Sequence, residues 1–273
     1  MNVSPRPSPS TAARLARPIV ALLAALGLIT GAAALPAQAG PSPSYVGLGD
    51  SIAAGTGGST VTNVPCQQTT VAYPVQLGGT DLGCFGAMTS DVVNTQVPQL
   101  PSSTRNVTIT VGANDAGAGA AVVSCFFGTA TQCDQTLVYS TTVLIPELPA
   151  KLSATIAAVR AKDPRARITL TGYPLLFTVS GLPAAQRQAA ASVNAATLLL
   201  NATIATTAWR NGAGYADVTF RFLGHGVGSQ DPWINGPILT PTGLAPGSYH
   251  PNDSGYTHGY VPAVAPFIQQ GDN

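Results

Sequence analysis

The chain has 273 residues, 12 Lys and Arg against 11 Asp and Glu, and a charged fraction of only 8%, where an average soluble protein carries about 25%. A formal net charge of +1 with no cationic stripe gives no electrostatic case for binding nucleic acid. Such a surface is solvated largely by Ser, Thr, Asn and Gln, and it tolerates apolar or uncharged polymeric substrates.

At the amino terminus, Arg6, Arg14 and Arg17 precede an apolar run from Ile19 to Leu35, and Ala37-Gln38-Ala39 follows. That order of basic, apolar and small residues predicts a secretory signal peptide over residues 1–39, cut after Ala39. A membrane anchor is the rival, but the run falls short of the roughly 20 residues a span needs and contains Gly27 and Gly31. No second run of spanning length is read, so an exported protein without stable membrane insertion is expected. Cleavage leaves residues 40–273, with 9 Lys and Arg against 11 Asp and Glu, a length that suits one sizeable domain.

Tyr45 to Leu48 reads as a buried strand, and the glycines at 47, 49 and 55 permit a tight strand-to-helix turn. Ser51 sits on that turn. A hydroxyl at the carboxyl end of a central strand, among helix-start amides, suits a nucleophile whose oxyanion is stabilised by backbone N–H groups. The same stretch also fits a serine that only caps the next helix. A Gly- and Thr-rich loop then reaches Cys66, a short helical piece covers Tyr73 to Leu77, and Leu82 to Ala87 reads as a second strand end. Asp91 to Leu100 reads as helical up to Pro98.

Asn106 to Val111 has the β-branched content of a central strand and ends in Gly112-Ala113-Asn114-Asp115. Gly117 to Cys133 is read as a small-residue loop. Leu144, Leu148, Leu152, Ile156 and Val159 recur at helical spacing, with Pro146 and Pro149 bending or restarting the helix. Ala166 to Tyr173 is a fourth strand, Pro183 to Arg210 a long Ala-rich helix, Tyr215 to Phe220 a fifth strand, and Asp253 to Gln270 a helix interrupted by prolines. Alternating strands and helices imply an α/β fold, a parallel sheet with helices on both faces. Ligands then bind outside the carboxyl ends of the strands, where Ser51, Gly86 and Asn114 fall.

All four cysteines lie in the exported part, where disulfides persist. Of three possible connectivities, Cys66 with Cys84 and Cys125 with Cys133 close local loops and are favoured. A zinc site is the rival, but no C-x-x-C pair occurs and His225, His250 and His258 have no ligand spacing with the cysteines. No metal or organic cofactor is expected.

Acyl transfer needs a base as well as a nucleophile, and histidine titrates near working pH. His250 stands in a Pro- and Gly-rich turn ahead of the last helix, from which it can reach the strand rim. His225 reads as a loop residue bonded locally, and His258 lies within the terminal helix.

Gly49-Asp50-Ser51 with Gly55, Cys84-Phe85-Gly86-Ala87, Gly112-Ala113-Asn114-Asp115 and His250-Pro251-Asn252 occur in that order across nearly the whole mature chain. In these pieces the chain resembles the SGNH, or GDSL-type, hydrolases, and among them the secreted, disulfide-containing bacterial lipases and esterases. Phe222 to Gly226 and Pro232-Trp233-Ile234-Asn235 look like the same branch. The resemblance implies a flavodoxin-like three-layer sandwich with a five-stranded parallel sheet. It implies Ser51 as nucleophile, His250 as base, and an oxyanion hole from the N–H of Ser51, the N–H of Gly86 and the amide of Asn114. The function it implies is hydrolysis of carboxylic esters, acylglycerols or other fatty-acyl esters, by a secreted enzyme; a monomer is expected. A carbohydrate deacetylase is the alternative, and a non-catalytic binding protein on the same scaffold a further one.

Two departures stand out. The family's usual aspartate, three residues before the histidine, is here Gly247. A main-chain carbonyl near Gly247 or Ser248 is therefore expected to accept the His250 Nδ1 hydrogen bond. Asp253, read as a cap of the last helix, and Asp231 are the candidate replacement acids. The branch's further cysteine pair near Trp233 is also missing. Asp50 and Asp115 are expected to bond turn amides, and the substrate groove to be lined between Ala116 and Phe127 and around Trp233.

Overall fold

The computed structural model describes residues 44–268; the expected leader over residues 1–39 and its expected cleavage point lie outside them. Five parallel strands, β1 (Ser44–Gly49), β2 (Thr80–Asp81), β3 (Thr104–Thr110), β4 (Arg167–Thr171) and β5 (Gly214–Ala216), form one sheet in the order β2-β1-β3-β4-β5. This is the flavodoxin-like order, whose switch point lies between β1 and β3. Helices α1 (Ala118–Phe127), α2 (Ala130–Tyr139), α3 (Ile145–Lys162), α4 (Ala184–Arg210) and α5 (Val261–Ile268) surround it.

Tyr45, Val46 and Leu48 of β1 are all buried, as a central parallel strand covered on both faces requires. On α3, Leu148, Leu152, Ile156 and Val159 form the buried stripe the spacing predicts, each at most 1% exposed; each such side chain contributes about 1.5–3 kcal/mol. The core also holds a polar layer. Tyr45 and Tyr73 hydroxyls bond Thr108, Tyr73 also bonds Thr110, and Thr110 bonds Thr171 across strands at 2.6 Å. These buried hydroxyls satisfy one another, so the small β-branched residues cost little inside.

Several elements differ from the sequence reading. Gly117 to Cys133 is not a loop but most of a helical hairpin, α1 and α2, cross-linked by Cys125–Cys133. Small residues were compatible with helix there, and Thr129 opens α2 with a capping box to Gln132. The fifth strand stops at Ala216, because the Asp217 carboxylate accepts the Thr219 N–H at 2.8 Å and turns the chain into a 3₁₀ segment, Thr219–Phe222. β2 itself is short, yet Leu82 and Cys84 N–H groups extend its ladder to Gly47 and Gly49 carbonyls. Helix runs on through Pro146 and Pro149: a π-helical turn at Ser140–Leu144 precedes α3, widening the helix where prolines remove donors.

Among the described residues, two helical stretches, Ala130–Lys162 and Ala184–Arg210, are long and apolar enough to cross a membrane, although the sequence reading expects no second run of spanning length. Leu148 and Leu152 on the first and Leu200 and Ile204 on the second are buried in the domain's main cluster.

Both disulfides pair as expected, Cys66–Cys84 with a sequence separation of 18 and Cys125–Cys133 with one of 8. In the chain-entropy account, replacing Cys66 and Cys84 by Ser should cost about 3 kcal/mol, and replacing the second pair slightly less. Denaturant titration of the two double variants checks this; a larger loss for the Cys125–Cys133 pair would contradict it.

Candidate active site

β1 ends at Gly49, which no other residue could replace without moving β3. Its φ is +136°, and a Cβ there would lie 2.0 Å from the Thr110 carbonyl oxygen. The buried Gln96 side chain brackets the same residue, accepting its N–H at 2.7 Å and donating to its carbonyl at 2.8 Å. Beyond it, Asp50 donates its N–H to the Thr110 carbonyl, and its Oδ1 accepts the Ile52 N–H at 3.0 Å. Ser51 is thereby presented on a closed turn, 8% exposed.

The Asp50 carboxyl is buried beside Ser51. Burial pushes it up to about 7, against the lowering effect of the Tyr173 hydroxyl and the Ile52 N–H. Tyr173 donates to Asp50 Oδ2 at 2.5 Å and accepts the Ala113 N–H at 3.1 Å. A single phenol thus connects the turn after β1 to the turn after β3.

His250 comes from the opposite end of the chain. Its Nε2 lies 2.7 Å from Ser51 Oγ across 199 sequence positions, and its Nδ1 lies 3.0 Å from the Ser248 carbonyl oxygen. A carbonyl only accepts, so Nδ1 carries the hydrogen and Nε2 is left to receive the serine's proton. The carbonyl near Gly247 or Ser248 that the missing aspartate called for is therefore that of Ser248. Burial holds the imidazole pKa below its ordinary value, and the Ser248 carbonyl opposes this in part.

Neither candidate replacement acid reaches the imidazole. Asp253 accepts the N–H and hydroxyl of Ser59; it is Asn252, not Asp253, whose side chain accepts the Gly255 N–H at the last helical segment. Asp231 bonds the Trp233 indole and lies 3.2 Å from His225 Nδ1. His225 stacks on Trp233 with ring centroids 3.7 Å apart, the local role the sequence suggested. Asp115 accepts the N–H and hydroxyl of Thr89, also as expected.

Gly86 and Asn114 line the same cavity as Ser51 and His250. Among the described residues, neither the Ser51 nor the Gly86 main-chain N–H has a protein acceptor. The Asn114 amide donates one hydrogen to the Ala87 carbonyl at 2.9 Å, which orients the group and leaves its second hydrogen unspent. The Cys66–Cys84 bridge and the Phe85 N–H to Cys66 carbonyl bond at 3.0 Å fix the loop carrying Gly86. Ser51, Gly86 and Asn114, each with an N–H not bonded to protein among the described residues, therefore line one cavity beside the Ser51 hydroxyl and the His250 imidazole; acyl transfer requires N–H donors of this kind near its nucleophile.

The cavity has a volume of about 400 Å³. Its wall includes Val122 and Val123 from α1, within the stretch the sequence indicated, but Trp233 does not line it. Leu176, Leu200 and the segment Leu244 to Pro246 take that place. Tyr173, Gln96 and Asn235 were not singled out as functional by sequence; Tyr173 had a signal, since it closes the predicted fourth strand at the same rim.

A family model described as the GDSL-like lipase/acylhydrolase family matches residues 48–258. Lipase 1 of Streptomyces coelicolor is 32% identical over 257 residues, 89% of this chain and 94% of its own length. The crystal structure of phospholipase A1 from Streptomyces albidoflavus NA297 superposes with a TM-score of 0.76 at 32% identity, covering 83% of this chain and 100% of that one. An extracellular lipase from Streptomyces rimosus gives a TM-score of 0.76 at 29% identity, with 82% and 99% covered. A match that spans all four motif regions, together with relatives that cover most of the chain, means that the chain belongs to the GDSL-like lipase/acylhydrolase family and is a carboxylic ester hydrolase.

Proposed function

We propose that the protein is a secreted monomeric lipase or esterase that cleaves fatty-acyl esters through an acyl-enzyme on Ser51. The observation that carries this reading is the 2.7 Å contact between Ser51 Oγ and His250 Nε2 inside an apolar-walled cavity. His250 Nε2 takes the hydroxyl proton as Oγ attacks the ester carbonyl. The oxyanion then faces the N–H of Ser51, the N–H of Gly86 and the free amide hydrogen of Asn114. The imidazolium, its Nδ1–H held on the Ser248 carbonyl, returns the proton to the departing alcohol. Water repeats the cycle against the acyl-enzyme, releasing the acid and restoring Ser51. No carboxylate takes part.

Export is supported by the two disulfides and by the extracellular relative of Streptomyces rimosus. The Val122, Leu176, Leu200 and Leu244 walls suit a hydrocarbon chain better than an acetylated sugar, since apolar area removed from water is what binds an acyl chain. Rates on acylglycerols, phospholipids and acetylated oligosaccharides should follow that preference; a profile led by the acetylated sugars would contradict it.

Turnover of a chromogenic short-chain ester should disappear in Ser51→Ala, and Asn114→Ala should lose about 100- to 1,000-fold in kcat. An Asn114→Ala enzyme as active as wild type would remove the amide from the oxyanion hole.

The depressed His250 pKa fixes the sign of the pH dependence. The base must be neutral, so kcat/KM should rise with pH through an apparent pKa below 6.5, the ordinary histidine value, and level off above it. The limb should persist in Asp50→Asn, whose carboxyl otherwise titrates near 7. A limb above 6.5, or one abolished by Asp50→Asn, would overturn the assignment to His250.

A further inference from the structure

The reaction leaves Asn235 without a part, although it ends the Pro232 to Asn235 stretch that the sequence marks out. Its main chain brackets the histidine turn: the Asn235 N–H donates to the His250 carbonyl at 2.9 Å, and its carbonyl accepts the Tyr249 N–H at 3.1 Å. Its side-chain Nδ2 donates in two directions, to the Gly247 carbonyl at 3.2 Å and to the Gly57 carbonyl at 2.9 Å. Gly57 lies just past the turn that starts at Ser51, 178 positions away from Asn235. One amide therefore ties the loop carrying the hydroxyl to the turn carrying the imidazole.

The junction is closely fitted. Gly57 has φ +98°, and a Cβ there would come within 2.5 Å of the Pro251 carbonyl oxygen, 2.9 Å of His250 Cβ and 3.0 Å of Asn235 Nδ2. On the histidine side, Tyr249 has φ +59°, a left-handed conformation that a bulky residue holds only when its surroundings impose it. The Asn235 bonds to Gly247, Tyr249 and His250 supply that constraint.

The constraint matters because the group orienting His250 is a main-chain carbonyl. A carboxylate side chain can rotate to follow its histidine, whereas the Ser248 carbonyl points where the backbone of residues 247–250 points it. Whatever fixes this turn against the Ser51 loop fixes both the imidazole angle and its distance from Oγ.

We propose that Asn235 is the positioning residue of the Ser51–His250 pair, setting their separation by donating at once to the Gly57 and Gly247 carbonyls. This rests on the reading of Ser51 and His250 given above. Asn235 thus acts through the backbone of residues 247–250, holding in place the Ser248 carbonyl that stands where a triad has its aspartate.

The test compares wild type with Asn235→Leu, which keeps the branched skeleton but not the donor, and Asn235→Asp, which turns a carboxylate toward two carbonyl oxygens. Kinetics on a short-chain chromogenic ester are paired with proton NMR of the His250 Nδ1–H. A misplacement of about 1 Å costs roughly 100-fold. Asn235→Leu should therefore lose about 30- to 100-fold in kcat with KM changed less than about threefold. Its Nδ1–H resonance should shift or broaden, and Asn235→Asp should lose at least as much activity. If Asn235→Leu does not fold, Asn235→Ser, with a shorter donor and the main-chain bonds retained, takes its place with a smaller loss in the same sense. Folded variants with kcat within about twofold of wild type, or with reduced kcat and an unmoved resonance, would overturn the proposal. A wild-type enzyme that cleaves no ester would instead overturn the functional reading beneath it.

Discussion

The contact between Ser51 Oγ and His250 Nε2 joins the first strand of the domain to the turn before its last helix, and the surrounding backbone is arranged to hold it. On one side Gly49 is pressed against the Thr110 carbonyl, closer than any side chain allows, and clamped by the Gln96 amide. On the other side the Ser248 carbonyl holds the imidazole in the tautomer whose Nε2 can accept a proton. A hydrogen bond between such distant residues has little value unless both ends are rigid, because ordering long loops costs conformational entropy. The bonds around Gly49 and Asn235 are where that ordering is enforced.

The same geometry sets the electrostatics. Among the described residues no carboxylate bonds His250, and burial disfavours its charged form, so the resting pair is neutral. In the proposed reaction, positive charge on the imidazole develops together with negative charge on the oxyanion, where N–H dipoles in a site of low dielectric act most strongly. The buried acid next to Ser51, Asp50, bonds Tyr173 and the Ile52 N–H rather than the imidazole. Through Tyr173 it is linked to the Ala113 N–H, one residue before Asn114. Hydroxyl and amide, on turns that follow adjacent strands β1 and β3, are thus braced across the switch point of the sheet.

How much of this was legible in the sequence follows from the range of each interaction. Ser51, Gly86 and Asn114 could be found because each follows an apolar run within a few residues, and His250 because its Gly- and Pro-rich turn is local. The α3 stripe was legible for the same reason, through the spacing of Leu148, Leu152 and Ile156. The α1–α2 hairpin was not, since Gly and Ser favour turns and outweighed the alanines among them, and the Thr129 capping box was a local sign of a helix start. The end of β5 was hidden because Asp217 breaks a β-branched run by a side-chain bond two residues on. Gln96, Tyr173 and Asn235 act across 47, 123 and 178 positions. Nothing in their immediate neighbours signals a bond that only folding creates.

The most direct test of the account is covalent trapping of the nucleophile. The purified protein, treated with a p-nitrophenyl alkylphosphonate that stalls after attack, should release one nitrophenolate per chain and carry the phosphonyl group on the peptide containing Ser51, as read by mass spectrometry. His250→Ala should abolish that labelling while remaining folded. Label on another residue, or labelling of Ser51 that proceeds equally well without His250, would contradict the central claim.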